Sequence, residues 1–384
     1  MSRYGVLLVG AKRTHQESHA AVFAAHPLCR LVAVASEKGD PEGRVDLYRQ
    51  LADELGIPHI PDLDEALARD DVHIVSSTPA VERRGPVAVR CLDAGKHVYL
   101  DKPLAGSMED AEAIVAAAER AGVRTQMFTQ NQAGWVQAAR RAIDEGRIGQ
   151  LKALHAENLF SKGKAGSVPE RTVRRERETV GRWTFVDAKR EMFDVAIYSL
   201  AFIHAITGLK VESVIAHTGN YFFAEHARLD VEDFGVIGLT MEGGVTATAI
   251  GGRFGWMSHP KSGPQRLVLM GTSGTMSFDP WRPRVEVYND ESDFTAPPVD
   301  PLDPMGMWGA SGPEFEAPPK RRWMGMDEES NVLVADVASF IVCIEQDRQP
   351  AIDAVAAASL LEVILAAYVS AARGEAVSLP LPSR

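Results

Sequence analysis

The sequence predicts an α/β protein in two parts. Residues 1–128 form a doubly wound parallel sheet, and residues 129–384 form an α+β part built on a mostly antiparallel open sheet. Three observations carry this. Up to residue 127 apolar runs of strand length alternate with amphipathic stretches, the rhythm of successive βαβ units. Beyond residue 210 strands follow one another directly, separated by turn signals such as Glu242-Gly243-Gly244 and Thr272-Ser273-Gly274, which suits antiparallel neighbours. The third is length: single cores stop growing near roughly 250–300 residues, and this chain has 384.

The first part has strands at residues 5–9, 31–35, 59–60, 72–76, 97–100 and 124–127. Between the last two, Ser107-Met108-Glu109-Asp110 is a capping-box-like start for a helix over 111–121, and Gly122 is its stop. A helix over 133–145 opens the second part, followed by a long polar connection rich in Arg and Gly and then a helix over 192–206. Strands are expected at 211–218, 234–241, 245–250, 266–270, 275–278 and 285–288. Residues 289–327, rich in Pro, Gly and Met and without periodicity, read as a long insertion. Two closing helices, 330–346 and 354–373, are apolar on one face and are expected to cover the second sheet.

Bulk properties exclude several classes. With 45% hydrophobic and 24% charged residues the chain has an ordinary globular composition. A formal net charge of -11 speaks against nucleic-acid or anionic-membrane partners and leaves a small ligand, charged or not, as the expected partner. Cys29, Cys91 and Cys343 sit singly in apolar stretches and read as packing residues. A first strand is expected almost at once, so no signal segment is expected. No apolar run approaches the ~18 residues of a membrane span, so a cytoplasmic address is expected. His15 and His19 are i, i+4, but no third ligand stands near them in sequence, and no metal is expected.

Lys102, in the run His97-Val98-Tyr99-Leu100-Asp101-Lys102-Pro103-Leu104, places a charge where a buried strand ends. Ligands of open parallel sheets bind beyond the carboxyl ends of the strands. Asp194 and Tyr198 stand four residues apart on a predicted helix and share a face. An ammonium beside a phenol favours the phenolate, so Lys102 is expected to lower the Tyr198 pKa from its usual ~10. Alone, Asp and Tyr at this spacing more often mark a surface helper and a core ring with its hydroxyl satisfied; the Lys-Pro run favours chemistry.

These residues carry a resemblance. Gly95-Lys96-His97-Val98, Asp101-Lys102-Pro103-Leu104-Ala105, Asp194-Val195-Ala196-Ile197-Tyr198, Val231-Glu232-Asp233-Phe234 and Gly271-Thr272-Ser273-Gly274 occur in that order. Over nearly its whole length the chain resembles the Gfo/Idh/MocA family of NAD(P)-dependent oxidoreductases. The resemblance implies a Rossmann domain, and hydride transfer between NAD or NADP and a secondary alcohol or ketone of a sugar, cyclitol or related polyol. It makes Lys102 the catalytic lysine, Tyr198 the acid/base and Asp194 its helper, and implies a homodimer or homotetramer assembled through the open sheet. The family usually has Glu where Asp101 stands, and many relatives have His where Tyr198 stands. The same fold also serves NAD-dependent glycosidases, which oxidise a sugar transiently and eliminate its substituent, and sensors that bind a dinucleotide without turnover. An assembly module that has abandoned the cofactor is a further alternative.

The first βα turn departs from the family. A dinucleotide-binding loop reads G-x-G-x-x-G, whereas here only Gly10 remains in Gly10-Ala11-Lys12-Arg13-Thr14-His15, and the His19-Ala20 pair comes one residue late. Lys12, Arg13 and Thr14 are expected to contact the phosphates by charge and hydroxyl instead, the competing account being a loop without cofactor affinity. Ser36, followed by Glu37 and Lys38, replaces the usual ribose-binding acid after the second strand, which leans toward NADP. Thr78 and Pro79, after the fourth strand, are expected to line the cofactor cleft. Gln130 and Asn131 are candidate hydroxyl binders, and Trp183, Trp308 and Trp323 candidate stacking residues. Arg171, Arg174, Arg175, Arg177, Arg182, Lys189 and Arg190 either face an anionic substrate or form a solvated loop paired with Glu170, Glu176 and Glu178.

Overall fold

A computed structural model describes residues 3–12, 14–161, 176, 190–254, 264–279, 284–289, 322–324 and 331–382. Arg13, Trp183, Trp308 and most of the 289–327 stretch lie outside the described residues, as do the named cations of residues 171–189.

The N-terminal sheet is built from β1 (Tyr4–Val9), β2 (Cys29–Ala35), β3 (His59–Ile60), β4 (Ile74–Ser77), β5 (His97–Leu100) and β6 (Thr125–Met127). All five pairings are parallel and the order is β3-β2-β1-β4-β5-β6. The chain reverses its direction of travel across the sheet between β1 and β4, which opens a crevice beyond their carboxyl ends. The central strand β1 is buried along its whole length. A parallel sheet covered on both faces demands such an unbroken apolar run. The crossovers include α1 (Gln16–Ala25), α2 (Glu42–Leu55), α3 (Leu63–Leu67), α4 (Arg84–Asp93) and α5 (Met108–Ala121). As the sequence predicts, Ser107 caps α5 by accepting from Asp110 N, and Gly122 ends it in the left-handed conformation with φ 66°.

After α6 (Gly134–Asp144) the second sheet begins with β7 (Leu151–Ser161), where the sequence reading has a polar connection. Lys152, His155, Glu157 and Asn158 mask its alternation, yet β7 pairs parallel with β10 (Val245–Phe254) and antiparallel with β11 (Gln265–Gly271) inside the sheet. The full order is β14-β13-β12-β11-β7-β10-β9-β8-β15, adding β8 (Val211–Gly219), β9 (Phe234–Met241), β12 (Gly274–Asp279), β13 (Arg284–Asn289), β14 (Arg322–Met324) and β15 (Val377–Ser378). Every pairing except β7 with β10 is antiparallel. One face is covered by α7 (Ile197–Thr207), while the short α8 (Ala224–Arg228) joins β8 to β9; on the other face Ile215 and Met270 are exposed.

The closing helices divide their work. Contrary to expectation, α9 (Val332–Glu345) covers the first sheet: buried Asp336 accepts from the Tyr99 hydroxyl on β5 and from Gln126 Nε2 on β6, 2.7 Å away. Phe340 packs 5.6 Å from the Tyr99 ring. The other helix, α10 (Ala354–Arg373), lies against β8 and α5, touching both parts. Its 20 residues are long and apolar enough to cross a bilayer, which corrects the expectation that no stretch approaches that length. With 61% of its most apolar window buried inside the protein, it serves as a core helix in this structure.

Candidate functional site

β5 delivers Asp101 and Lys102 to the crevice. The ammonium of Lys102 donates to the carbonyl and to Oδ1 of Asp194, both at 2.7 Å, and the two side chains are each 4% exposed. Asp194 lies in a wide π turn, Met192–Ala196, that runs into α7. Gly251 on β10 decides where that turn sits: a Cβ at Gly251 would come within 2.3 Å of Ala196 Cα. Only a residue without a side chain lets the turn lie on the strand and carry Asp194 and Tyr198 over the end of β5. Arg253, two residues further along β10, donates to Asp194 Oδ2 at 2.8 Å and to Glu191 Oε2 at 2.9 Å. Buried His226 stands 3.1 Å from the other oxygen of Glu191. Asp194 is thus held between two cations.

Tyr198 is 4% exposed and its ring lies 5.0 Å from Lys102 Nζ. Among the described residues its hydroxyl makes no hydrogen bond. Its pKa is raised well above the usual value, first by burial and then by the carboxylates of Asp194 and Asp101. The expected lowering by Lys102 is therefore corrected. The ammonium faces the ring and is itself matched by Asp194, whose negative charge opposes phenolate formation.

Two cavities meet at these groups. One, of about 510 Å³, is lined by Ala11, Lys12, Thr14, Arg44, Thr78 and Pro79 among others. The second, of about 340 Å³, is lined by Phe128, Gln130, Phe160, Tyr198, Arg253 and Leu333 among others. His15, Lys102 and Asp194 belong to both. A larger cavity of about 790 Å³ lies beside α7 and α10 and contains none of Lys102, Asp194 and Tyr198.

The altered loop is tied down by side chains. Gly10 is required because a Cβ there would meet Thr78 Oγ1 at 2.0 Å. Thr78 donates to Gln16 Oε1 at 3.0 Å, and Thr14 bonds the Ala11 carbonyl at 2.8 Å. Lys12 is paired with Glu54 in a partly exposed contact that costs little to open. His15 Nδ1 stands 2.7 Å from Asp101 Oδ1, while Arg84 holds Oδ2 at 2.7 Å. Burial by itself would raise the Asp101 pKa, but Arg84 and His15 more than offset it and keep the carboxylate ionised.

The donors of the first cavity suit a dinucleotide. Lys12 and Arg44 bring positive charge, Thr14 a hydroxyl, and α1 its N-terminus, which is what a diphosphate requires. Ser36 and Lys38 do not line it: Ser36 lies 3.0 Å from His59 Nε2, and Lys38 is exposed. Glu37 is bound by Arg83 at 2.8 and 2.5 Å and by Arg90 at 3.1 Å. Asn131 is buried with Thr129 as its partner at 3.3 Å, so Gln130 lines the second cavity in its place. Arg190 is 12% exposed and paired with Glu176, as one alternative has it, and with Glu232, but the pairs are buried and not solvated.

His15, Arg84 and Arg253 are the functional candidates that sequence reasoning did not assign. Arg253 carried a usable signal, since Gly251-Gly252-Arg253 puts a charge near the end of an apolar strand just as Lys102 does.

Comparisons with known proteins bear on the fold and the family. Residues 4–129 match the oxidoreductase family with an NAD-binding Rossmann fold, and residues 136–277 match the GFO/IDH/MocA C-terminal domain. A 4-carboxy-2-hydroxymuconate-6-semialdehyde dehydrogenase from a Sphingobium species is 36% identical over 94 residues, 24% of this chain and 28% of that protein. The match thus spans less than a third of that relative. A dTDP-3,4-didehydro-2,6-dideoxy-alpha-D-glucose 3-reductase of Streptomyces antibioticus is 25% identical over 298 residues, 76% of this chain and 81% of that one. Among solved structures, levoglucosan dehydrogenase in complex with NADH and levoglucosan has a TM-score of 0.74 at 18% identity, covering 98% of this chain and 100% of that one. With both of its parts matched in order, the chain belongs to the Gfo/Idh/MocA family of oxidoreductases.

Proposed function

We propose that the protein interconverts a secondary alcohol and a ketone of a sugar, cyclitol or related polyol, using NAD(P). Bound in the first cavity, the nicotinamide supplies the hydride donor or acceptor. The observation that carries the reading is the junction of the two cavities at Lys102 and Asp194, with Tyr198 on the second. An ammonium has three N–H donors, and Lys102 spends two on Asp194, which leaves one for a substrate oxygen. Tyr198, held protonated, offers a second donor to the same cavity. Both groups therefore donate hydrogen bonds to a ketone oxygen, and one of them passes its single proton to that oxygen as the hydride reaches the carbon, recovering it in the reverse direction. Asp194 and Arg253 keep the lysine in place.

Within this reading residues 1–128 hold the dinucleotide and residues 129–384 supply most of the substrate cavity. Neutralisation of Glu37 by Arg83 and Arg90 supports tolerance of a 2'-phosphate, so NADP is the preferred cofactor. The exposed face of the second sheet, with Ile215 and Met270, is the proposed homo-oligomer contact, read by light scattering.

The test is thermal shift with NAD, NADH, NADP and NADPH, followed by a polyol and ketose panel monitored through nicotinamide absorbance. A binder gains stability by mass action. Net NAD(P)H formation is expected, with Tyr198→Phe lowering turnover at least a hundredfold and leaving dinucleotide affinity intact. Stabilisation without turnover on any substrate would support a sensor. Elimination without net NAD(P)H would support a glycosidase, and no stabilisation by any dinucleotide would refute the reading.

A further inference from the structure

The first loop brings together a side-chain group that hydride transfer leaves unused. His15 stands at the N-terminal boundary of α1 and His19 lies one turn further on the same face, as their spacing predicts. The structure adds the third donor that the sequence does not place near them: Asp101, from the end of β5, 86 residues away from His15. One ligand atom from each of the three lies within 4.8 Å of the others. His19 is fully buried, and among the described residues only Ser76 Oγ approaches its Nδ1, at 3.4 Å. Its Nε2 is buried without a hydrogen-bond partner among the described residues. A buried imidazole nitrogen left unpaired beside a carboxylate and a second imidazole calls for an occupant.

We propose that His15, His19 and Asp101 form a binding site for a divalent transition-metal ion of the zinc class. Two imidazoles and one carboxylate are the donor set that such ions prefer over magnesium or calcium. Three protein ligands leave an open position. Because His15 and His19 line the cavity that also holds Lys102 and Tyr198, that position faces the same space and takes water or an oxygen of a bound small molecule. Asp101 is suited to the role, since Arg84 keeps Oδ2 at 2.7 Å while Oδ1 exchanges the His15 contact for the metal. Ligand bonds of about 2.0–2.2 Å require donor atoms roughly 3.3 Å apart, so the group must contract on binding. His15, 42% exposed on its loop, is the member free to move; His19 and Asp101 are fixed by helix and strand. The site stands whether or not the proposed dehydrogenase reading holds.

The test uses the full-length protein, stripped with a chelator and titrated with cobalt(II) in the absence of dinucleotide. The expected result is the visible absorption of four- or five-coordinate cobalt, saturating at one equivalent and abolished by zinc. His15→Ala and His19→Gln should each weaken binding at least tenfold, with His155→Ala, remote from the group, as the unchanged control. His19→Gln puts a polar side chain in a core position, so His15→Ala, at a half-exposed site and with folding checked by circular dichroism, carries the decision. Cobalt that keeps its aqueous spectrum, or His15→Ala binding as tightly as the parent, would overturn the proposal and leave the His15–Asp101 contact as a plain hydrogen bond.

Discussion

Lys102 follows β5 of the first sheet and Asp194 lies in the turn before α7 of the second part, and a double-mutant cycle measures what joins them. Each is 4% exposed, and they meet at 2.7 Å. Removing one partner of such a buried pair costs about 3–5 kcal/mol, because the other charge is left uncompensated. The two sides differ here. Lys102→Ala leaves Asp194 with Arg253 at 2.8 Å, so the loss belongs at the lower end, about 3 kcal/mol. Asp194→Ala leaves the Lys102 ammonium buried with no carboxylate bonded to it and belongs at the upper end, about 5 kcal/mol. Once the lysine is gone there is no ammonium to strand, so the double variant should fall short of the sum by about 2 kcal/mol, within the range for groups in contact. Urea unfolding of the four proteins reads these values. Turnover should fall about 10²–10⁴-fold in Lys102→Ala, the usual worth of a positioned proton donor, with dinucleotide affinity retained. Additive stability losses, or a Lys102→Ala protein that turns over at the parent rate, would refute the reasoning.

Three further outcomes follow from single contacts. Burial raises the Asp336 pKa to about 7 against the opposing hydrogen bonds from Tyr99 and Gln126, so the native state holds a proton that the unfolded chain releases near its usual ~3.8. Stability should be highest below that value, fall by up to roughly 4 kcal/mol as pH rises toward 7, and then level off; Asp336→Asn should flatten the profile measured by unfolding at several pH values. Gly251→Ala places a methyl 2.3 Å from Ala196 Cα and should cost about 1–3 kcal/mol by thermal unfolding. Displacing the Met192–Ala196 turn should also lower turnover about 10²-fold; wild-type turnover would mean that Asp194 does not need this seat. Arg83→Ala releases the Glu37 carboxylate from its two-bond clasp and should shift the NADPH-to-NADH affinity ratio at least tenfold toward NADH, measured by fluorescence titration. An unchanged ratio would show that Glu37 lies outside the ribose site.

The alternating rhythm of the N-terminal half, the Ser107 and Gly122 boundaries of α5 and the charge at Lys102 were all readable along the chain, because helices, caps and strand ends are specified by neighbours a few residues apart. The strand β7 was not, since Lys152, His155 and Glu157 point outward and dilute its apolar alternation. Nor was the destination of α9, whose apolar face fits either sheet until Asp336 finds Tyr99 across 237 residues. The pairing of Lys102 with Asp194 spans 92 residues, that of Arg253 with Asp194 spans 59, and that of His15 with Asp101 spans 86. Those partners, and with them the direction of the Tyr198 pKa shift, depend on which charges burial brings within a few ångströms. Local patterning carries no record of that, and it arises only when the two sheets close on one crevice.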